Sequence, residues 1–179
     1  MLKLLKKALQ VGDATVKYPF KPLEVAPCFR GKPVYDFSQC IACGACADAC
    51  PSNAITMEND SKRGVVSWKI NYGRCIFCGR CDEVCPTGAI ALSEEFELAA
   101  ARKEDLYCQA EIQLCECRSC GEYFAPSREL DYVLAYLEQV GLTDYDNKEW
   151  KQLMKLCPEC KRKQRAAQWV HGQGARRKA

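Results

Sequence analysis

The chain has 179 residues, with 26 Lys and Arg against 23 Asp and Glu, and 15 cysteines. That length allows one domain with a core of its own plus a small appendage. The cysteine count is odd, and the opening MLKLLKKALQ interrupts its leucines with lysines and does not read as a secretion signal. A secreted disulfide scaffold is therefore excluded, and metal sites in a reducing, cytoplasmic compartment are expected.

Residues 1–12 read as a short amphipathic helix, with Leu2, Leu5 and Leu9 on one face and Lys3, Lys6 and Lys7 on its flanks. A helix this short is marginal alone. Its narrow apolar face and cationic flanks favour docking on a membrane surface or in a partner's groove over packing on its own domain. Residues 16–39 contain Pro19, Pro22, Pro27 and Pro33 and are expected to form an extended strap. No apolar stretch of the chain is long enough to cross a bilayer.

The central feature follows. Cys40, Cys43, Cys46 and Cys50-Pro51 recur thirty-five residues later as Cys75, Cys78, Cys81 and Cys85-Pro86. This C-x2-C-x2-C-x3-C-P run is the bacterial ferredoxin spacing, in which three cysteines of one loop hold a 4Fe–4S cluster and the fourth serves the other cluster. By that rule Cys40, Cys43, Cys46 and Cys85 hold one cluster, and Cys75, Cys78, Cys81 and Cys50 hold the second. The alternative is that these eight cysteines form disulfides or two zinc sites, but zinc sites rarely space three ligands two apart with a fourth after three and a proline. Gly44 and Gly79 fall where the backbone must turn tightly, and Pro51 and Pro86 end the helical turns begun at Cys46 and Cys81. Between the runs, Ala54–Met57 and Val65–Ile70 read as two strands around a polar turn at 59–64.

Residues 93–107 are expected to be helical, with Ser93 as cap and Glu94 and Glu95 in the first turn. A second helix spans 127–140, with Leu130, Val133, Leu134 and Leu137 on one face and Gly141 as its stop. A third runs from about Asp146 into Leu156. Two knuckles, Cys117-x2-Cys120-Gly121 and Cys157-Pro158-x-Cys160, supply four thiolates for one ion, zinc in preference to a single iron. Cys115 competes with Cys117 but lacks the two-residue spacing. Cys28, Cys108 and Cys115 are left over and are expected to be buried small hydrophobes.

Charge and chemistry narrow the function. Residues 1–32 carry seven basic and two acidic groups and residues 161–179 carry seven basic and none acidic, so the middle of the chain is acidic. Two loaded clusters, each of about −2 when oxidised, would deepen that. Basic residues confined to the ends do not make a nucleic-acid surface. The sole histidine, His171, lies in the basic tail, and no phosphate loop, nucleophile elbow or dinucleotide fingerprint is present. With every cluster position filled by cysteine, no direct small-molecule substrate and no catalysis by the chain alone are expected.

The expected fold class is α+β, a duplicated 2[4Fe–4S] ferredoxin-like domain with an N-terminal amphipathic helix and a C-terminal helical extension that binds a metal through four cysteines. The division is 1–33 (helix and docking strap), 34–92 (ferredoxin domain), 93–160 (extension) and 161–179 (basic tail).

The opening MLKLLKKALQVGDATVKYPFKPLEVAPCFRGKP, the runs CIACGACADACPSNAI and CIFCGRCDEVCPTGAI, and Phe96-Glu97-Leu98-Ala99 together resemble the iron–sulfur subunits of formate hydrogenlyase and hydrogenase-4, akin to the two-cluster ferredoxin subunit of respiratory complex I. The likeness reaches about Cys160, and the four-cysteine site at 117, 120, 157 and 160 looks like the hydrogenlyase type. The resemblance implies a peripheral subunit on the cytoplasmic face of a membrane complex. It would take electrons from a ferredoxin-like donor subunit, ultimately from formate, and pass them to the small subunit of a nickel–iron hydrogenase, beside a membrane-arm subunit. The alternatives are the same relay in a quinone-reducing complex I-like dehydrogenase, a free ferredoxin, or a binding protein whose clusters serve structure.

Overall fold

The structure is a computed structural model that describes the backbone of residues 2–12, 15–141 and 147–176, and the side chains of 2–12, 15–141 and 151–167. The side chain of His171 and the expected helix start at Asp146 lie outside the described residues.

The two cysteine runs fold as a duplicated unit. Helical turn α2 (Ala45–Asp48) carries the third cysteine of one run, Cys46, and α3 (Arg80–Glu83) carries that of the other, Cys81. Strand β1 (Pro33–Tyr35) pairs antiparallel with β4 (Ile90–Leu92), and β2 (Ile55–Asp60) pairs antiparallel with β3 (Val65–Asn71). The registers match under the thirty-five-residue repeat. Pro33 faces Leu92 as Trp68 faces Met57, and Tyr35 faces Ile90 as Ile70 faces Ile55. The strand pair expected around the polar turn is β2 and β3, with β2 running further into the turn, to Asp60, and β3 beginning at Val65 as expected and ending at Asn71.

β3 is the central strand because β5 (Tyr107–Glu116) pairs along its other edge, from Val65 opposite Gln113 to Asn71 opposite Tyr107. β6 (Tyr123–Pro126) completes a four-stranded antiparallel sheet in the order β2-β3-β5-β6. Covered on both edges, β3 buries Val66, Trp68 and Ile70, and Trp68 is 0% exposed. Two adjoining core clusters result, one around Cys40, Ala42, Val66, Ala89 and Ile112, the other around Ile55, Trp68, Ile70, Cys81 and Ile90. Cysteines of both runs belong to the core itself.

The helix expected over 93–107 does not form. Residues 93–102 are irregular, a 3₁₀ turn spans Lys103–Leu106, and β5 begins at Tyr107. The reason is tertiary. The N–H groups of Gly31 and Lys32 donate to the carbonyls of Ser93 (2.9 Å) and Glu95 (2.7 Å), and Ser93 N–H returns a bond to Lys32 (3.1 Å). This ladder holds the segment extended, so the strap takes the backbone groups that a helix would use. A Lys32–Glu95 ion pair (2.6 Å), a tilted contact of Phe96 with Tyr18 and an edge contact with Phe29 fasten it further. β5 was legible in the alternation of Cys108, Ala110, Ile112 and Leu114 inward with Gln109, Glu111 and Gln113 outward.

In the extension, α4 (Ser127–Gln139) lies on β5 and β6 through half-buried Leu130, Val133, Leu134 and Leu137, the face expected from the sequence. Gly141 follows with φ +70°, a left-handed stop. α5 (Asn147–Met154) matches the third expected helix, and α6 (Pro158–Arg176) carries the basic tail as a helix that runs through position 160. α1 (Leu2–Val11) forms as expected, and none of its residues is buried; Leu2 is 84% and Leu9 79% exposed. No described helix is long and apolar enough to cross a membrane. Of the leftover cysteines, Cys108 and Cys115 are half-buried, while Cys28 is exposed, contrary to expectation, because the strap around it passes over the surface.

Gly31 is where strap and 93–95 segment approach most closely. A Cβ there would collide with the carbonyl oxygens of Glu95 and Ser93, both fixed backbone. Gly31→Ala is expected to lower stability by about 1–3 kcal/mol, the usual cost of overpacking, seen as a lower guanidinium midpoint of the whole chain.

Candidate functional site

Each cysteine run opens with a loop that bends its peptide groups toward its own sulfurs. Ala42 and Phe77 occupy equivalent places with φ +60° and +54°, and Gly44 and Gly79 each have φ +81°. Consecutive turns of this kind aim backbone N–H groups inward. Ala42 N–H donates to Cys40 Sγ (3.3 Å), and Phe77 N–H to Cys75 Sγ (3.5 Å). At the far end of each run, Ala54 N–H donates to Cys50 Sγ and Ala89 N–H to Cys85 Sγ, both at 3.2 Å. The Ser52 and Thr87 hydroxyls lie 3.7 Å from those same two sulfurs.

The sulfurs converge on two small cavities of equal size. One is walled by Cys40, Cys43, Cys46 and Cys85, the other by Cys75, Cys78, Cys81 and Cys50. The structure thus brings together both sets drawn from the spacing, with the fourth thiol crossing over each time. The remaining walls also obey the repeat. Tyr35, Met57 and Trp68 line the first cavity where Ile70, Leu92 and Pro33 line the second.

The thiols are not alike. Burial pushes Cys81 up to about 11 and raises Cys46 against the opposing pull of the Trp68 N–H. For Cys50 and Cys85 burial also acts upward, but N–H donors (led by Ile55 and Thr87) and the Ser52 and Thr87 hydroxyls outweigh it and hold both thiols low. Four thiolates around one small cavity repel each other strongly without a compensating cation. The donor set fits an iron–sulfur cluster: soft sulfur ligands, inward N–H groups and an apolar wall. Tyr35 adds to that fit. Its hydroxyl is buried, has no hydrogen-bond partner among the described residues, and sits beside the Cys40 thiol. Leaving such a group without a partner costs about 1–3 kcal/mol, and a sulfur-rich guest in the cavity would supply one.

Two arginines tie other segments to these loops. Arg30 of the strap donates to the Cys78 carbonyl (3.0 Å), and Arg128 of α4 donates to the carbonyls of Phe37 and Cys40 (3.3 Å to the latter). Sequence reasoning missed both, because a carbonyl-bound guanidinium has no local signature.

The second site lies in the extension. The sulfurs of Cys117, Cys120, Cys157 and Cys160 all lie within 4.8 Å of one another. Cys157 N–H donates to Cys117 Sγ (3.2 Å) and holds that thiol down at about 6. The Glu122 N–H pulls Cys120 down, yet the neighbouring sulfurs push it up to about 12. β5 and β6 present the first knuckle, whose turn closes through Gly121 with φ +74°, and the start of α6 presents the second. The gap between them, long for a metal motif, is filled by α4 and α5. Cys115 is not in this group, as the spacing indicated.

A paired set of four-cysteine cavities related by an internal repeat defines a dicluster ferredoxin-type protein, and residues 39–89 match the family model described as a 4Fe-4S dicluster domain. The chain is 49% identical to formate hydrogenlyase subunit 6 of Escherichia coli over 90% of its own length and 89% of that protein's. It belongs to that family of iron–sulfur subunits. The chloroplastic NAD(P)H-quinone oxidoreductase subunit I of Lotus japonicus is 40% identical, over 51% of this chain and 60% of that one. A chain in the structure of an archaeal membrane-bound sulfane sulfur reductase is 33% identical over 57% of this chain and 58% of that one, with a TM-score of 0.42. The protein is an iron–sulfur electron-transfer subunit of a multi-subunit complex, an electron carrier rather than an enzyme by itself.

The loop glycines give a graded test. Alanine at φ +81° pays left-handed strain of about 1–2 kcal/mol. At Gly79 the new Cβ would also press on Leu92 Cδ1 at 3.2 Å, against 3.7 Å to the flexible Met57 Sδ at Gly44. Gly79→Ala is expected to lower the denaturation midpoint, followed by loss of the iron–sulfur chromophore, more than Gly44→Ala does.

Proposed function

We propose that this chain is the peripheral electron relay of a formate hydrogenlyase-type membrane complex. The observation that carries the reading is the pair of equal cavities, each walled by three cysteines of one loop and one of the other. In this reading Cys40, Cys43, Cys46 and Cys85 ligate one [4Fe–4S] cluster, and Cys75, Cys78, Cys81 and Cys50 the other. The clusters supply one-electron redox chemistry when bound. The chain's own residues hold them within one small core, exclude water with apolar walls, and place N–H donors on the sulfurs. Close packing of the two sites in one core is what short electron hops require.

Cys117, Cys120, Cys157 and Cys160 form a closed tetrahedral site for zinc or a single iron, which ties the extension, residues 93–160, to itself, while β3–β5 pairing joins it to the ferredoxin domain, residues 34–92. Residues 1–33 serve docking. The exposed leucines and lysines of α1 suit an anionic lipid surface at the cytoplasmic face or a groove of the membrane-arm subunit. The tail, residues 161–179, has no assigned role. Electrons pass from a ferredoxin-like donor subunit linked to formate oxidation to the small subunit of a nickel–iron hydrogenase. The relative over 90% of the chain favours this over the quinone-reducing dehydrogenases, whose match covers half.

Affinity purification of the tagged chain in mild detergent from fermenting cells is expected to recover a nickel–iron hydrogenase pair with a formate dehydrogenase. Recovery with quinone-reductase subunits would transfer the relay to the other class of complex, and recovery of the chain alone would refute the complex. Cys78→Ser is expected to remove one cluster and about half of the acid-labile sulfide, the share one of two equal clusters holds. Cys157→Ala is expected to abolish the extension's metal in elemental analysis while the sulfide content stays intact.

A further inference from the structure

The two cavities agree in nearly every group that touches their sulfurs. Each has a backbone N–H from its loop, Ala42 to Cys40 or Phe77 to Cys75, and one from the crossing segment, Ala89 to Cys85 or Ala54 to Cys50. Each has one hydroxyl, Thr87 or Ser52, beside the crossing sulfur. Each has one guanidinium on a loop carbonyl, Arg128 at Cys40 or Arg30 at Cys78. To first order these contributions cancel.

Two groups have no counterpart. Trp68 Nε1–H donates to Cys46 Sγ at 3.4 Å, and the Tyr35 hydroxyl is buried beside the Cys40 thiol without a partner among the described residues. Both line the first cavity, and under the repeat their places in the second are taken by Pro33 and Ile70, which carry no side-chain donor. The two rings stack face to face, 3.9 Å apart and 9° from parallel, so each fixes the other's aim. Tyr72, which follows the second site's strand, spends its hydroxyl on the Pro33 carbonyl (3.1 Å).

A donor aimed at sulfur stabilises the extra negative charge of the reduced form and so raises the reduction potential. Resting on the ligand assignment above, we propose that Trp68 and Tyr35 are potential-setting residues that make the Cys40–Cys43–Cys46–Cys85 site the higher-potential one of the pair. A single electron on the loaded protein then rests at that site, and transfer from the Cys75–Cys78–Cys81–Cys50 site to it runs downhill. Two sites alike in their other sulfur contacts thereby acquire a direction.

The test is a potentiometric titration of the full-length, cluster-loaded protein followed by electron paramagnetic resonance. Cys43→Ser identifies which signal belongs to the first site. Trp68→Phe and Tyr35→Phe, which keep the stack and delete one donor each, are expected to lower that site's reduction equilibrium constant by about threefold to tenfold, tenfold being about 59 mV for one electron. The other site's midpoint stays in place. Unchanged midpoints, an equal fall in both, or a fall confined to the second site would overturn the proposal. A measurement without variants checks it independently: protein labelled with indole-¹⁵N tryptophan is expected to show nitrogen hyperfine coupling to the reduced first cluster, and absence of that coupling excludes the Trp68 bond. Iron and acid-labile sulfide measured on the same samples separate failure of the ligand assignment from failure of the tuning.

Discussion

Each four-cysteine cavity takes three sulfurs from one loop and the fourth from a loop thirty-five residues away, so neither half of the repeat can complete its own site. This exchange forces the loops side by side and sets the rest of the molecule. The strands entering and leaving the loops must pair across the repeat, which is why β1 meets β4 and β2 meets β3 in matching register. It also places Cys40 and Cys81 in the hydrophobic core as packing residues. Fold and site are therefore one construction, because sulfurs that line the cavities also pack the core.

Around that unit the later parts of the chain act as braces. The strap and residues 93–95 form a short ladder that closes over the second loop, with Arg30 bonded to the Cys78 carbonyl. The extension adds β5 to the open edge of β3, converting a two-stranded hairpin of marginal stability into a sheet. Through Arg128 it also reaches the first loop. At the far end of this extension the thiols of Cys117, Cys120, Cys157 and Cys160 meet where the β5–β6 turn packs on the start of α6 across a long gap. What the braces leave uncovered is α1, whose leucines face outward with no described residue to bury them.

Several features were legible in the residues alone. The C-x2-C-x2-C-x3-C-P spacing specifies the two sulfur sets because ligand geometry is local within a loop, and the crossing of the fourth cysteine follows from the same spacing. The α4 face, the β2–β3 hairpin and the pairing of the 117–120 knuckle with 157–160 are likewise written in short-range periodicity and turn residues. The error over 93–107 has an opposite cause. Ser93 with Glu94 and Glu95 is a fair helix start, but the deciding hydrogen bonds come from Gly31 and Lys32, about sixty residues earlier.

The sequence by itself determined which three thiols of each loop gather together, since thiol spacing and loop chirality act over a few bonds, and the known rule for this spacing supplies the fourth from the other loop. Only the tertiary structure decided what surrounds them: that Trp68 and Tyr35 stack over one set of sulfurs while Pro33 and Ile70 cover the other, and that two distant arginines reach the loop carbonyls. Those contacts join residues far apart in the chain, and no local pattern encodes a meeting that depends on how strands from both halves pair.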